Sequence, residues 1–162
     1  MRDDLLDLLL PLDGVRQNPR FHPEGDALYH SLQAFELARR LTDDRLLWAA
    51  ALLHDVGKAP GEDDHAESGA DLLEGLVAPR VVWLVRHHLD LLYEPAATRR
   101  RRRGTAALRD LTLLRRCDAG GRSPTATVLD VGDAVDLLLS QGPGFLSPEG
   151  ENPYEHGRNE ED

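Results

Sequence analysis

Apolar residues recur at helical spacing along most of the chain. Over 24–41, Ala27, Leu28, Leu32, Phe35, Leu37, Ala38 and Leu41 follow the three-and-four step of an amphipathic helix. Residues 46–53, LLWAAALL, are apolar on every side, which predicts a central buried helix running to about His54. Asp43 or Asp44 is placed to cap it. A short leucine-rich helix is predicted over 3–10, stopped at Pro11, and the prolines, glycine and asparagine of 13–23 read as a loop. Gly57, Pro60 and Gly61 then break the chain. A helix follows over 65–76, and Pro79 suits the first position of the next, which contains VVWLVRHHLDLL. Thr105 is placed to cap a helix through Cys117, and Ser123-Pro124 reads as cap and first turn of a last helix reaching Gln141. Alternating strand patterns are absent. The expected fold is all-α, a compact bundle of about six to seven helices.

A chain of 162 residues fits one domain. We assign that domain to 1–141. Residues 142–162 hold glycines, prolines and the acids Glu149, Glu151, Glu155, Glu160, Glu161 and Asp162, and read as a loose tail. The longest apolar run, 46–53, is far short of the ~20 residues that span a bilayer, so no membrane association is expected. The N-terminus mixes acids into its leucines and offers no small-residue cleavage site, unlike a signal peptide. Cys117 is the only cysteine, which excludes an internal disulfide framework and fits a reducing, cytoplasmic setting.

A formal charge of -10 opposes nucleic-acid binding by the surface as a whole. One region departs from that average: residues 99–103 are five arginines, with Arg109, Arg115 and Arg116 close behind. They read either as a solvated basic face or as a phosphate-attracting rim beside a site. Lys58 is the only lysine.

Candidate chemistry concentrates on histidines and aspartates. His54-Asp55 ends the buried apolar helix, where an ionised carboxylate is costly unless it is paired, ligates a metal, or emerges into water. His30, His65, His87, His88 and Asp118 also sit on or beside apolar helices. Imidazole and carboxylate are the ligand types expected for Mn, Fe, Co, Ni or Zn at a hydrolytic site. No HExxH pair and no GxSxG turn are present, which argues against a zincin and a serine hydrolase.

The order His30, His54-Asp55, Asp118 resembles the H…HD…D signature of the HD superfamily of metal-dependent phosphohydrolases. LLHDVGK carries the doublet, HAESGA is similar to an element of the two-metal members, and His87-His88 resembles their paired histidines. RFHPEGDALYH and DAGGRSP further resemble the HD domain attached to some bacterial CCA-adding tRNA nucleotidyltransferases. That likeness covers about residues 13–125, and the nucleotidyltransferase half has no counterpart, so a stand-alone HD domain is expected.

The resemblance implies an HD-domain bundle in which His30, His54, Asp55 and Asp118 hold one divalent metal. Asp55 would bridge to a second ion held also by His65, His87 and His88. Adjacent helical residues diverge by about 100°, so one of His87 and His88 is free to meet substrate instead. If His65 is a loop histidine facing water, the site holds one metal. Catalytic roles fall to Asp55 and Lys58, and substrate binding to Lys58, Arg122 and His22. Arg122 reads equally as half of an ion pair, and His22 as a helix start. The implied activity is hydrolysis of a phosphate ester or phosphodiester in a small molecule, a nucleotide or an RNA end, including 2′,3′-cyclic phosphates. Two alternatives stand beside it: a di-iron oxygenase on the same fold, and a non-catalytic regulatory module that binds metal or nucleotide.

Overall fold

Short polar side chains start several helices. Asp26 accepts from the Tyr29 amide and opens α2 (Ala27–Leu41). Asp44 accepts from Leu46 and opens α3 (Arg45–Leu53), and Thr105 accepts from Leu108 and opens α8 (Ala106–Gly120). Each satisfies an amide that the first helical turn leaves unpaired. The other helices are α1 (Arg2–Leu9), α4 (His65–Leu73), α5 (Pro79–His87), α6 (Asp90–Tyr93), α7 (Pro95–Arg102) and α9 (Val131–Leu138). The computed structural model describes residues 1–59 and 64–155. Among them there is no strand, only one isolated bridge between Arg16 and Asp26, and the fold is all-α. No helix there is long and apolar enough to cross a membrane.

The apolar helix α3 lies at the centre, packed against α2, α5 and α8, with Ala49 through Leu53 fully buried. Its alanines let α2 approach closely, and Phe35 of α2 meets Trp48 edge-on at 6.4 Å. The site residues stand at the ends of these core helices, which fixes them to rigid elements.

Three local expectations are corrected. Residues 123–130 are not a helical start: Gln33 exchanges two hydrogen bonds with the Ser123 backbone, and Tyr29 donates to the Ala126 carbonyl. These bonds tie the segment to α2 as an irregular connection, and α9 begins only after Asp130. The helix expected through 79–92 stops at His87, and the arginine run belongs to the separate α7. The tail is not loose over 142–155. Leu146 is fully buried, and Tyr154 stacks on Trp83 at 4.5 Å while its hydroxyl joins Asp110 and Arg80. Sparse apolar anchors outweigh an acidic, glycine-rich composition. Residues 156–162 lie outside the described residues, as do Pro60 and Gly61.

Candidate metal centre and adjoining cleft

Five helix ends converge on Asp55. His30 comes from the first turn of α2, His54 caps α3, His65 is the first residue of α4, His88 caps α5, and Asp118 lies in the last turn of α8. Asp55 follows His54 directly and heads the 3-10 turn Val56–Lys58. Its two oxygens face different groups. Oδ2 lies 3.2 Å from His54 Nε2 and 3.6 Å from His30 Nε2. Oδ1 lies 3.3 Å from His65 Nε2 and 3.6 Å from His88 Nε2. Asp118 Oδ1 closes the first group, 2.9 Å from His30 Nε2 and 3.4 Å from His54 Nε2.

Backbone carbonyls set the tautomers of three of these rings. Nδ1 of His30 bonds the Gly121 carbonyl at 2.8 Å, that of His54 the Ala51 carbonyl at 2.7 Å, and that of His88 the Val85 carbonyl at 2.5 Å. A carbonyl only accepts, so each Nδ1 carries hydrogen and each neutral ring turns a lone pair inward from Nε2. For His54 and His88 the acceptor lies three residues back, and the Val85 carbonyl also accepts from the His88 amide that caps α5. The rings thus satisfy their own helices while presenting an acceptor to the centre.

Such convergence is unfavourable without a cation. His30 Nε2 and His54 Nε2 lie 3.3 Å apart, and two lone pairs at that distance repel. His88 Nε2 and Asp55 Oδ2 are buried without an aligned hydrogen bond, although Lys58 Nζ stands 2.9 Å from that oxygen. In the metal-free protein a proton fills the gap. Burial alone would pull His54 down, but the Asp55 and Asp118 carboxylates outweigh it and push its pKa up to about 10. Burial opposes the charge on both carboxylates too, yet their histidine neighbours hold them well below the usual carboxylate range. His88, for which burial dominates, is lowered. Imidazole nitrogen and carboxylate oxygen in a buried pocket suit a divalent transition metal, and His30, His54 and Asp118 form one compact set of donors, with His54, Asp55 and His88 a second.

The HD-domain family profile matches residues 27–137, which enclose this whole donor set. The chain belongs to the HD-domain family. Multifunctional CCA proteins of Hahella chejuensis and Halorhodospira halophila are 39% and 42% identical over 80 residues. Those stretches cover 45% and 43% of this chain and 19% of each relative. A bifunctional uridylyltransferase/uridylyl-removing enzyme of Gluconobacter oxydans is 45% identical over 75 residues, 41% of this chain and 8% of that protein. The HD chain thus matches under a fifth of the length of these relatives.

Of the residues expected in the HD centre, His87 alone stays apart. Its ring stacks on Trp83 at 4.3 Å and its Nδ1 meets Asp90 at 2.8 Å, so it joins an aromatic column with Tyr154. Lys58 turns to Asp55 and to Gln17, whose Oε1 it meets at 2.6 Å. Arg122 donates to the Phe21 carbonyl at 2.7 Å and pairs with no acid among the described residues. His22 stands edge-on to His30 and bonds Glu24 at 2.7 Å.

Lys58, His65, His22 and Arg122 also line a cleft of about 940 Å³ beside the centre. Two neighbours, Glu24 and Gln17, escaped sequence reading, and Arg115 of the basic segment stands beside them. Glu24 is buried, with Oε1 3.3 Å from His30 Nδ1. Arg115 reaches to 3.5 Å from Asp118, and Gln17 holds Lys58. The HPE sequence flags Glu24 only as a helix-start acid, and nothing in the spacing singles out Gln17.

Proposed function

We propose that this HD protein is a metal-dependent phosphohydrolase. Its substrate on this reading is a phosphate ester or phosphodiester of a nucleotide, including 2′,3′-cyclic and RNA-terminal phosphates. His30, His54, Asp55 and Asp118 would hold one divalent ion, and Asp55, His65 and His88 a second. The supporting observation is the convergence of three imidazole Nε2 atoms, each made an acceptor by its backbone tether, on the two oxygens of Asp55.

Metal held there supplies Lewis acidity toward a phosphoryl oxygen and an acidified water. The chain's own groups do the rest. Asp55 and Asp118 bring negative charge to the donor set, the helix ends keep it still, and burial excludes bulk water. Lys58, Arg115 and Arg122 face the cleft, where cationic donors stabilise a phosphoryl group that gathers charge. The names of the relatives, a CCA protein and a uridylyl-removing enzyme, support nucleotide chemistry.

The test is turnover of 2′,3′-cyclic nucleotides, mononucleotides and p-nitrophenyl phosphate with Mn, Fe(II), Co, Ni or Zn. Asp55→Ala should abolish metal-dependent hydrolysis while keeping the helical circular-dichroism spectrum. Wild-type activity in that variant, or none in the wild type with any metal, would overturn the proposal.

A further inference from the structure

Charge in this protein is strongly segregated. Residues 95–117 hold eight arginines against one acid, Asp110, a net charge of +7. The rest of the chain holds eleven basic residues against twenty-eight acids, a net charge of -17. Asp110 is engaged with Arg80 and Tyr154. Despite the many acids elsewhere, Arg99, Arg100, Arg103, Arg109 and Arg116 are exposed and pair with none of them among the described residues. By contrast Arg2, Arg39, Arg80 and Arg86 all meet carboxylates.

These arginines form a track. Thr105, Arg109, Thr112 and Arg116 recur at four, three and four residues and are all exposed, so they share one outer face of α8. Over those eleven steps the face runs roughly 16 Å. One end adjoins the arginine-rich C-terminus of α7, where Thr105 bonds the Arg102 carbonyl. At the other end Arg116 is preceded in the chain by Arg115, which lines the cleft about 100° around the helix.

The cleft itself suits more than a phosphate. Its volume of about 940 Å³ lies near the upper end of the ~300–1,000 Å³ of small-ligand sites. Three of the five exposed large apolar side chains of the described residues, Phe21, Leu92 and Tyr93, line it. Gln17 Nε2 and Arg122 Nε are buried beside it without a hydrogen bond, Arg115 Nη1 has only its 3.5 Å approach to Asp118, and all three are donors. Aromatic faces offer stacking to any base, and unsatisfied donors want an acceptor-rich partner.

Building on the hydrolase reading, we propose that the substrate is the end of a single-stranded polynucleotide rather than a free mononucleotide. The terminal nucleotide occupies the cleft between Phe21 and Tyr93, and the preceding phosphates follow Arg116 and Arg109 along α8 towards α7. A flat anionic membrane would meet the acidic remainder of the surface, whereas a strand confined to one stripe does not. Guanidinium forks with aromatic rims are also the combination that single strands favour over a polyanion without bases.

The test is fluorescence anisotropy of a labelled single-stranded RNA of about a dozen nucleotides, titrated with metal-loaded protein at several salt concentrations. Competitors are a mononucleotide, inorganic polyphosphate and phosphatidylserine vesicles. The strand should bind at least tenfold more tightly than the mononucleotide. Arg109→Glu/Arg116→Glu should remove most of that advantage and flatten the salt dependence by about 1.4 in log–log slope, from ~0.7 per lost phosphate contact. Mononucleotide binding and the helical spectrum should not change. Equal strand binding by the double variant, or stronger competition by polyphosphate or vesicles than by unlabelled RNA, would overturn the proposal. Strand binding through this stripe without turnover of any ester would instead refute the hydrolase reading alone.

Discussion

Gly57→Ala tests how the second half of the centre is held. A Cβ at Gly57 would overlap the His65 carbonyl oxygen and come within 2.6 Å of the Gly69 nitrogen. Both are backbone atoms of α4, so no side-chain rotation relieves the clash. Ordinary contact begins at about 3.5 Å, so to clear the His65 oxygen the turn Val56–Lys58 and α4 must part by roughly 1.5 Å. His65 moves with α4 and Asp55 with the turn, so their 3.3 Å approach opens towards roughly 5 Å. Ligand bonds of about 2.0–2.2 Å do not survive that change. Overpacking of this kind costs about 1–3 kcal/mol, and each kcal/mol lowers Tm by about 2–4 °C at this size. Thermal unfolding followed by circular dichroism, with metal content of the same samples, reads both effects. A variant with wild-type Tm and wild-type metal content would refute the close-approach reasoning.

Three further outcomes follow from other parts of the structure. His54 is raised to about 10 in the metal-free protein, so its contribution to stability is full below about 6.5 and is lost as pH rises towards 10. The metal-free Tm should fall over that window, and loading at pH 7 should release about one proton per chain, measurable by calorimetry in buffers of different ionisation enthalpy. Absence of proton release would show that His54 is neutral before metal arrives. Lys58→Ala should keep the metal content and lower turnover roughly a hundredfold, and altered stoichiometry would place Lys58 in metal retention instead. Tyr154→Phe keeps the stack on Trp83 but removes the hydroxyl between Asp110 and Arg80, and should cost about 1–3 kcal/mol in urea unfolding. An unchanged midpoint would mean that the C-terminal segment adds nothing through that hydroxyl.

Much of the fold could be read from periodicity, because α2 and α3 differ in how completely they are apolar. The caps Asp44 and Thr105 were visible for the same reason: a short polar side chain precedes each apolar run. The choice between His87 and His88 was legible in principle. Val81, Leu84, Val85 and His88 fall at three, four and seven residues along one buried stripe, while His87 shares its face with Trp83. Gly57 read as a chain breaker, but it is needed because α4 passes against it, and a contact between segments leaves no local trace. Gln17 escaped for a similar reason, since its partner Lys58 lies 41 residues away. The segment 142–155 misled because composition weighs acids and glycines, whereas Leu146 and Tyr154 anchor it singly.

The most direct test of the shared-carboxylate centre is metal content by elemental analysis of untagged protein, wild type beside His65→Ala. Near two metals per chain, falling towards one in the variant, is the predicted result. One metal in both would remove His65 and the second ion from the account, and none even after reconstitution would contradict the metal centre itself.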